Sequence, residues 1–277
     1  MSDPFAAANA ATFNSSPLSQ AISSRDGDTM QIVKAAINAG QVMLAFQPVV
    51  RAADTRVPAF YEGLARVMDH TGRIIPAKEF IDVVENQPLG RKLDTLALQL
   101  GLEALEMEPS LRLSINMSAR SIGYPDWINT LREGLQRIPT AGERLILEIT
   151  ERTAIVMPEL VQVFMAEMQA QGVSFALDDF GAGYTAFRYL KDFYFDILKI
   201  DGEYIRHIAD NPDNQVLARA MLAIAQHFDM ITIAEGVESW EDAEFLMGSG
   251  FDLLQGYFFG TPTITPWWVN EYQKLSG

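Results

Sequence analysis

From Val42 onward the apolar positions follow two spacings in turn. Short runs rich in apolar and β-branched residues, "VMLAFQPVV", "AFYEGLARVM", "LRLSINMS", "RLILEITE", "VSFALDD", "FDILKID", "MITIAEG" and "FDLLQGY", read as strands. Longer stretches with apolar residues three and four apart, "LDTLALQLGLEALEM", "MPELVQVFMAEMQAQG", "NQVLARAMLAIAQHF" and "WEDAEFLMGSG", lie between most of them and read as helices. Strand and helix in alternation predict repeated βα units and a parallel sheet. The first two strands are joined only by "RAADTRVP", which is too short for a crossover helix, so that pair is expected to be antiparallel. The fold class that follows is α/β, a TIM-like (β/α)8 barrel with one irregular antiparallel strand near the N-terminus.

Ahead of the first strand, "MQIVKAAINAG" places Ile32, Val33, Ala36 and Ile37 on one helical face, with Gly40 as the stop. Residues 1–28 are small and polar with little apolar periodicity, and are expected to form a flexible leader. Residues 29–277 are expected to form one barrel domain. A barrel of this type typically takes about 250 residues, which this length accommodates.

Composition narrows the chemistry. Cysteine is absent, which removes disulfides, thiolate zinc sites and a cysteine nucleophile. No apolar stretch reaches the roughly 18 residues of a membrane span, and the N-terminus lacks a secretory signal, so the expected location is cytoplasmic. With 21 basic and 36 acidic residues the formal net charge is −15, a field that opposes polymeric nucleic acid as a partner. A small phosphate-bearing substrate stays in play if divalent cations invert the field locally.

In a βα barrel, chemistry gathers at the C-terminal ends of the strands. Reading each run to its end yields Asn116, Glu148, the adjacent Asp178 and Asp179, Lys199, Glu235 and Gln255, and Glu62 adds an acid inside an otherwise apolar strand. One such acid is more often a turn former or a helix cap than a ligand. Convergence changes the weighing, because Glu62, Glu148, Asp178, Asp179 and Glu235 would all face one mouth. Buried like charges would cost several kcal/mol each unless neutralised. Oxygen donors and one amide suit hard ions such as Mg2+ or Mn2+ rather than zinc. Adjacent aspartates also suit a pair of ions, a device for in-line attack on phosphorus. The three histidines, His70, His207 and His227, lie away from the strand ends, so a serine–histidine–aspartate triad has no support. "GAGYTAF" lacks the Gly-Lys-Ser/Thr of a P-loop.

Taken together, "FQPVV", Glu62-Gly63-Leu64, "INMS", "LEITE", "LDDFGAGY", "LKID", "AEGVE" and "QGYFFGTP" resemble the EAL-domain family of cyclic di-GMP phosphodiesterases, from about Met30 to the end. The resemblance implies hydrolysis of cyclic di-GMP to linear pGpG by a two-metal mechanism, with metal-activated water attacking phosphorus. It implies that Glu62, Asn116, Glu148 and Asp178 hold one ion while Asp178, Asp179 and Glu235 hold the other. The ions would be Mg2+ or Mn2+, with Ca2+ inhibiting. Lys199 would sit beside the attacking water, and Gln255 would position water or substrate. By the same likeness Arg66 contacts a substrate phosphate and Gln47 lines a guanine pocket. Leu64 and Asp201, with Glu62, Asn116 and Gln255, complete the implied substrate-binding set.

Glu151 would anchor the loop after the paired aspartates and joins Lys199, Glu235 and Gln255 as a residue serving catalysis. In the family that loop links metal binding to the dimer interface, which makes Gly181 to Tyr184 a regulatory element and a homodimer through this loop an expectation. Gly63 stands where the family has alanine, a change expected to loosen the strand by roughly 0.5–1 kcal/mol. Ala182, Thr185 and Ala186 are small variants within the loop. The alternative reading is a catalytically weak or inactive cyclic di-GMP receptor signalling through the loop after Asp179. A third, a protein-interaction module that neither binds nor cleaves nucleotide, would make the acid cluster incidental.

Overall fold

A hairpin opens the barrel. In the computed structural model, which describes residues 17–154, 156–182 and 190–269, with side chains from residue 24, a helix α1 (Pro17–Asn38) leads into strands β1 (Val42–Arg51) and β2 (Asp54–Met68). These two pair antiparallel, with Gln47 opposite Glu62. Gly40 ends α1 with φ at 66°, and the Gln41 N–H donates to Ala36 O at 2.8 Å, which closes the last turn. Helix α1 reaches back to Pro17, into the segment whose sequence suggested a leader. Residues 24–28 of it are exposed, so no apolar face marked it in the sequence.

The chain continues through β3 (Ile74–Pro76), α2 (Ile81–Val84), α3 (Pro88–Met107), β4 (Leu113–Asn116), α4 (Pro125–Arg137), α5 (Ala141–Arg144) and β5 (Leu145–Thr150). Next come α6 (Glu151–Ala154), α7 (Pro158–Gln169), β6 (Ser174–Phe180), β7 (Ile197–Ile200) and α8 (Gly202–Ile205). The last elements described are α9 (Pro212–His227), β8 (Ile231–Ala234), α10 (Trp240–Ser249) and β9 (Leu253–Gln255). Helices α3, α4, α7 and α9 start on proline, whose fixed φ suits a first turn, and Asn211 and Ser239 cap α9 and α10 through their side chains.

The strands follow the order β1-β9-β8-β7-β6-β5-β4-β2 and close through the β1–β2 pairing, with β3 extending β2 outside the ring. All pairings from β2 to β9 around the ring are parallel, and β1 is antiparallel to both neighbours. The TIM-like barrel with one irregular strand is therefore the observed fold.

Inside the ring, Val49, Phe60, Ile146, Ala176, Ile197, Ile233 and Leu253 pack into an apolar plug. A larger apolar cluster fills the space between the outer strand face and the helices, and a satellite joins Val33 and Ala36 of α1 to Val67, Ile75, Phe80, Val84 and Leu93. Gly63 leaves no slack in this packing: a Cβ there would stand 2.6 Å from Ile115 Cδ1, and one at Gly101 would stand 2.8 Å from the same atom. Ile115 fills the volume that the missing methyl vacates, so local loosening at Gly63 is not what the packing displays.

Candidate metal centre

Period-two geometry builds the site directly on the plug. Side chains two residues apart on a strand share a face, so each plug residue has a partner one step nearer the mouth. Phe60 is followed by Glu62, Ile146 by Glu148, Ala176 by Asp178, Ile197 by Lys199, Ile233 by Glu235 and Leu253 by Gln255. On β4 the same step leads from buried Ser114 to Asn116, which lies in register with Glu148. β1 runs the other way, so Gln47 precedes Val49 and still joins the mouth layer. A polar ring thus stands on an apolar floor.

Adjacent aspartates could not both face the mouth on a regular strand. At Asp179 the backbone turns left-handed, φ 55°, and the pairing of β6 with β7 loses its register between Leu177 and Phe180. That break allows carboxylate oxygens of Asp178, Asp179 and Glu235 to come within 4.8 Å of one another. Gly181 follows with φ 102°, and a Cβ there would meet Tyr204 at 2.7 Å and Met221 at 2.8 Å, so the turn needs glycine on both counts.

Lys199 is the hub. Its buried Nζ lies 2.7 Å from Glu148 Oε2, 2.8 Å from Glu235 Oε1, 3.0 Å from Asp178 Oδ1 and 3.4 Å from Glu62 Oε2. Asn116 Nδ2 donates to Glu62 Oε1 at 2.8 Å, and Gln255 Nε2 donates to Glu62 Oε2 at 2.6 Å. One ammonium cannot neutralise four carboxylates, and the titration of the group reflects that. Burial, with Glu62 next in effect, pushes the Glu148 carboxyl up to about 8. Burial also holds Glu235 well above the carboxylate range despite Lys199. Glu62 moves the other way, because Lys199 and the donors Gln255 and Asn116 override the effect of its burial. At Asp179, partial desolvation and then the Asp178 charge raise the carboxyl to about 6. Lys199 itself is held well above its ordinary value, burial being outweighed by Asp178, Glu148, Glu235 and Glu62.

The donor set fits hard divalent cations. Every candidate atom is oxygen, Glu148 Oε1 is buried without a hydrogen-bond partner, and Asn116 spends its Nδ2 on Glu62, which leaves its carbonyl oxygen for a ligand. An acidic cluster of this kind can hold metal in place of the protons it otherwise retains.

A pH dependence follows, with its sign. Between 4.5, the ordinary value for glutamate, and about 8, metal-free folded protein keeps a proton on Glu148 that the unfolded chain has released. The folded state binds more protons there, so raising the pH from about 5 to 8 destabilises it, and Glu235 acts in the same direction. Glu62, held low, stabilises the fold fully above its ordinary 4.5, and that part is lost only as pH falls below it. The melting temperature in chelator is expected to fall across this window, and the gain from added manganese to grow with pH. A gain that is flat or shrinks from pH 5 to 8 would contradict it.

The remaining expected residues spread around the mouth. Gln47, Leu64 and Asp201 line a cleft of about 720 Å³ above the cluster, together with Glu62, Asn116, Asp178, Asp179, Glu235 and Gln255. Gln47 Nε2 donates to Gly260 O at 3.1 Å, and Asp201 caps α8 by accepting from Glu203 N at 2.6 Å. Arg66 is half-buried beside Glu62 and Tyr257, both of which line the cleft, and donates to Ala65 O at 2.9 Å. Glu151 opens α6, buried, on the wall of a neighbouring cavity of about 370 Å³ that also reaches Asp179 and Ala182. Tyr184, Thr185 and Ala186, and with them most of the expected dimer loop, lie outside the described residues. None of the histidines lines the cleft.

Sequence reading missed Asp94. This carboxylate, from α3, accepts from Ser118 N at 3.0 Å and Ser121 Oγ at 2.6 Å, and so pins the turn that follows Asn116. It projects from a helix, and a search of strand ends cannot find it. Burial lifts its carboxyl to about 6 against those two hydrogen bonds.

Comparison with known proteins follows the same lines. The family described as the EAL domain matches residues 30–262. A probable cyclic di-GMP phosphodiesterase of Escherichia coli, PdeN, is 32% identical over 235 residues, which cover 83% of this chain and 45% of that protein. The cyclic di-GMP phosphodiesterase NbdA of Pseudomonas aeruginosa is 29% identical over 235 residues, covering 83% of this chain and 30% of that protein. Among solved structures, the PaMucR phosphodiesterase in complex with c-di-GMP superposes with a TM-score of 0.78 at 27% identity, over 85% of this chain and 97% of that one. The chain spans less than half the length of these two curated relatives. No helix among the described residues is long and apolar enough to cross a membrane.

Proposed function

The chain belongs to the EAL domain family, and we propose that it hydrolyses cyclic di-GMP to linear pGpG with the help of two divalent cations, Mg2+ or Mn2+. The observation that carries this reading is the ring of buried Glu62, Glu148 and Asp178 and partly buried Glu235 around one lysine, with Asp179 and Asn116 beside it. Glu62, Asn116, Glu148 and Asp178 would hold one cation, and Asp178, Asp179 and Glu235 the other. Such a pair supplies water of lowered pKa and stabilises negative charge developing on phosphate oxygens.

The protein's own groups prepare this. Gln255 and Asn116 fix the plane of the Glu62 carboxylate from both of its oxygens. Lys199 stays protonated throughout the neutral range, held so by its carboxylate neighbours, and offers a fixed positive charge where negative charge builds in the transition state. Gln47 and Leu64 border the ligand, and Asp201 sits on the opposite side of the cleft mouth.

Purified protein with Mg2+ or Mn2+ is expected to convert cyclic di-GMP to pGpG, read by chromatography, while Ca2+ supports binding without efficient turnover. No turnover under either ion at saturating substrate would sink the proposal. Binding without turnover, unchanged by Asp178→Asn, would assign the chain to the receptor reading instead.

A further inference from the structure

The cleft over the metal centre is acidic well beyond the ligands. Asp201 and Glu238 stand on its walls above Glu62, Asp178, Asp179 and Glu235. Against them, the lining among the described residues carries two cations, Lys78 and Arg206. Lys78 follows β3, on the rim built out from β2, and Arg206 follows α8 at the end of β7. In the ring order β2 and β7 are four places apart out of eight, so these two cations belong to opposite sides of the mouth.

Their settings differ in a telling way. Lys78 is exposed, and no carboxylate pairs with it among the described residues. Arg206 is seated. Its guanidinium lies across two glycine backbones: a Cβ on Gly202 would be 3.2 Å from Nη2, and one on Gly236 would be 3.4 Å from Nε. The guanidinium thus rests in close contact with the backbone at both positions. Its one ion-pair partner among the described residues, Glu238 at 3.5 Å, is itself about half exposed, so the tether is weak and competes poorly with a ligand.

We propose that Lys78 and Arg206 are substrate-binding residues, one on each side of the mouth, that receive acceptor oxygens of the dinucleotide lying outside the metal floor. This rests on the function proposed above. A ligand with two phosphates can set only the reacting one over the cluster, and the rest of it must pass walls that are otherwise negative. Lys78 offers a compact charge suited to phosphate. The fork of Arg206 suits either a phosphate or the O6/N7 edge of a purine, the same acceptor chemistry from two parts of one ligand.

The test is equilibrium binding by calorimetry with Ca2+ present, for the wild-type chain, Lys78→Gln, Arg206→Gln and the double variant, with cyclic di-GMP and cyclic di-AMP. Each single change is expected to weaken cyclic di-GMP binding about tenfold, with the double near the product. The salt dependence should flatten, and manganese affinity should stay unchanged as the control for an intact floor. Equal loss for both nucleotides at Arg206 identifies a phosphate contact, and loss confined to the guanine ligand identifies the purine edge. Arg206→Lys should recover part of the loss in the first case only. Variants that bind within twofold of a binding wild type overturn the proposal while leaving the proposed function standing. A wild type that binds neither nucleotide overturns both.

Discussion

Asp178→Asn is expected to lower turnover by about a thousandfold or more while leaving the barrel folded. The amide keeps the shape of the side chain but loses the charge, and in the proposed ligand set Asp178 is the residue shared by both cations. Loss of one shared carboxylate removes several kcal/mol of charge stabilisation in the transition state, and each 1.4 kcal/mol is a factor of ten. Stability in chelator should hardly suffer. Asp178 is one of four carboxylates crowding a single ammonium, and the asparagine oxygen can still accept from Lys199 Nζ, 3.0 Å away in the native site. Manganese titration should then find weaker and fewer ions per chain. Turnover within tenfold of the wild type would remove Asp178 from the bridging position.

The second large effect concerns Lys199→Met. Removing the ammonium leaves Glu62, Glu148, Asp178 and Glu235 without their common partner, three of them buried. Breaking a buried ionic network from one side typically costs about 3–5 kcal/mol. The variant is therefore expected to melt markedly earlier in chelator. Divalent cations should restore most of that stability, because they neutralise the same carboxylates. They should not restore turnover, which is expected to stay down by roughly a hundredfold to a thousandfold for want of a fixed positive charge near the reacting phosphate. The two readouts separate a structural counter-ion from a residue that acts on the transition state. If manganese restored both, Lys199 would be a counter-ion only. If melting in chelator were unaffected, protons on Glu148 and Glu235 would suffice to neutralise the cluster.

That second experiment addresses a point on which strand-end reasoning was incomplete. In the sequence, crowded acids imply a demand for metal. The tertiary structure places the buried Lys199 Nζ among four of them, so part of the neutralisation is built into the chain. Charge counting keeps the demand alive, since one ammonium and four carboxylates leave an excess that protons or divalent ions must cover.

Much was legible because barrels obey short periods. Alternation of strand and helix, a first connection too short for a crossover, and polar residues two steps beyond apolar ones are properties of neighbours in the chain, and they determined the fold class and most of the mouth. Asp94 and Arg206 escaped that reading, because the helix or turn that carries each shows no local mark of facing the cleft. So did the service Gly63 and Gly101 render to Ile115, because the atom that would clash is brought there by the fold. Adjacency of Asp178 and Asp179 was plain in the sequence, but alternation alone would send one carboxylate away from the mouth. Only the left-handed turn at Asp179, set where β6 loses register with β7, brings both to the same side. Local pattern determines which residues share a face. Distances across the ring, and with them the charge state of the centre, depend on how eight strands close, which is decided by packing across the whole barrel.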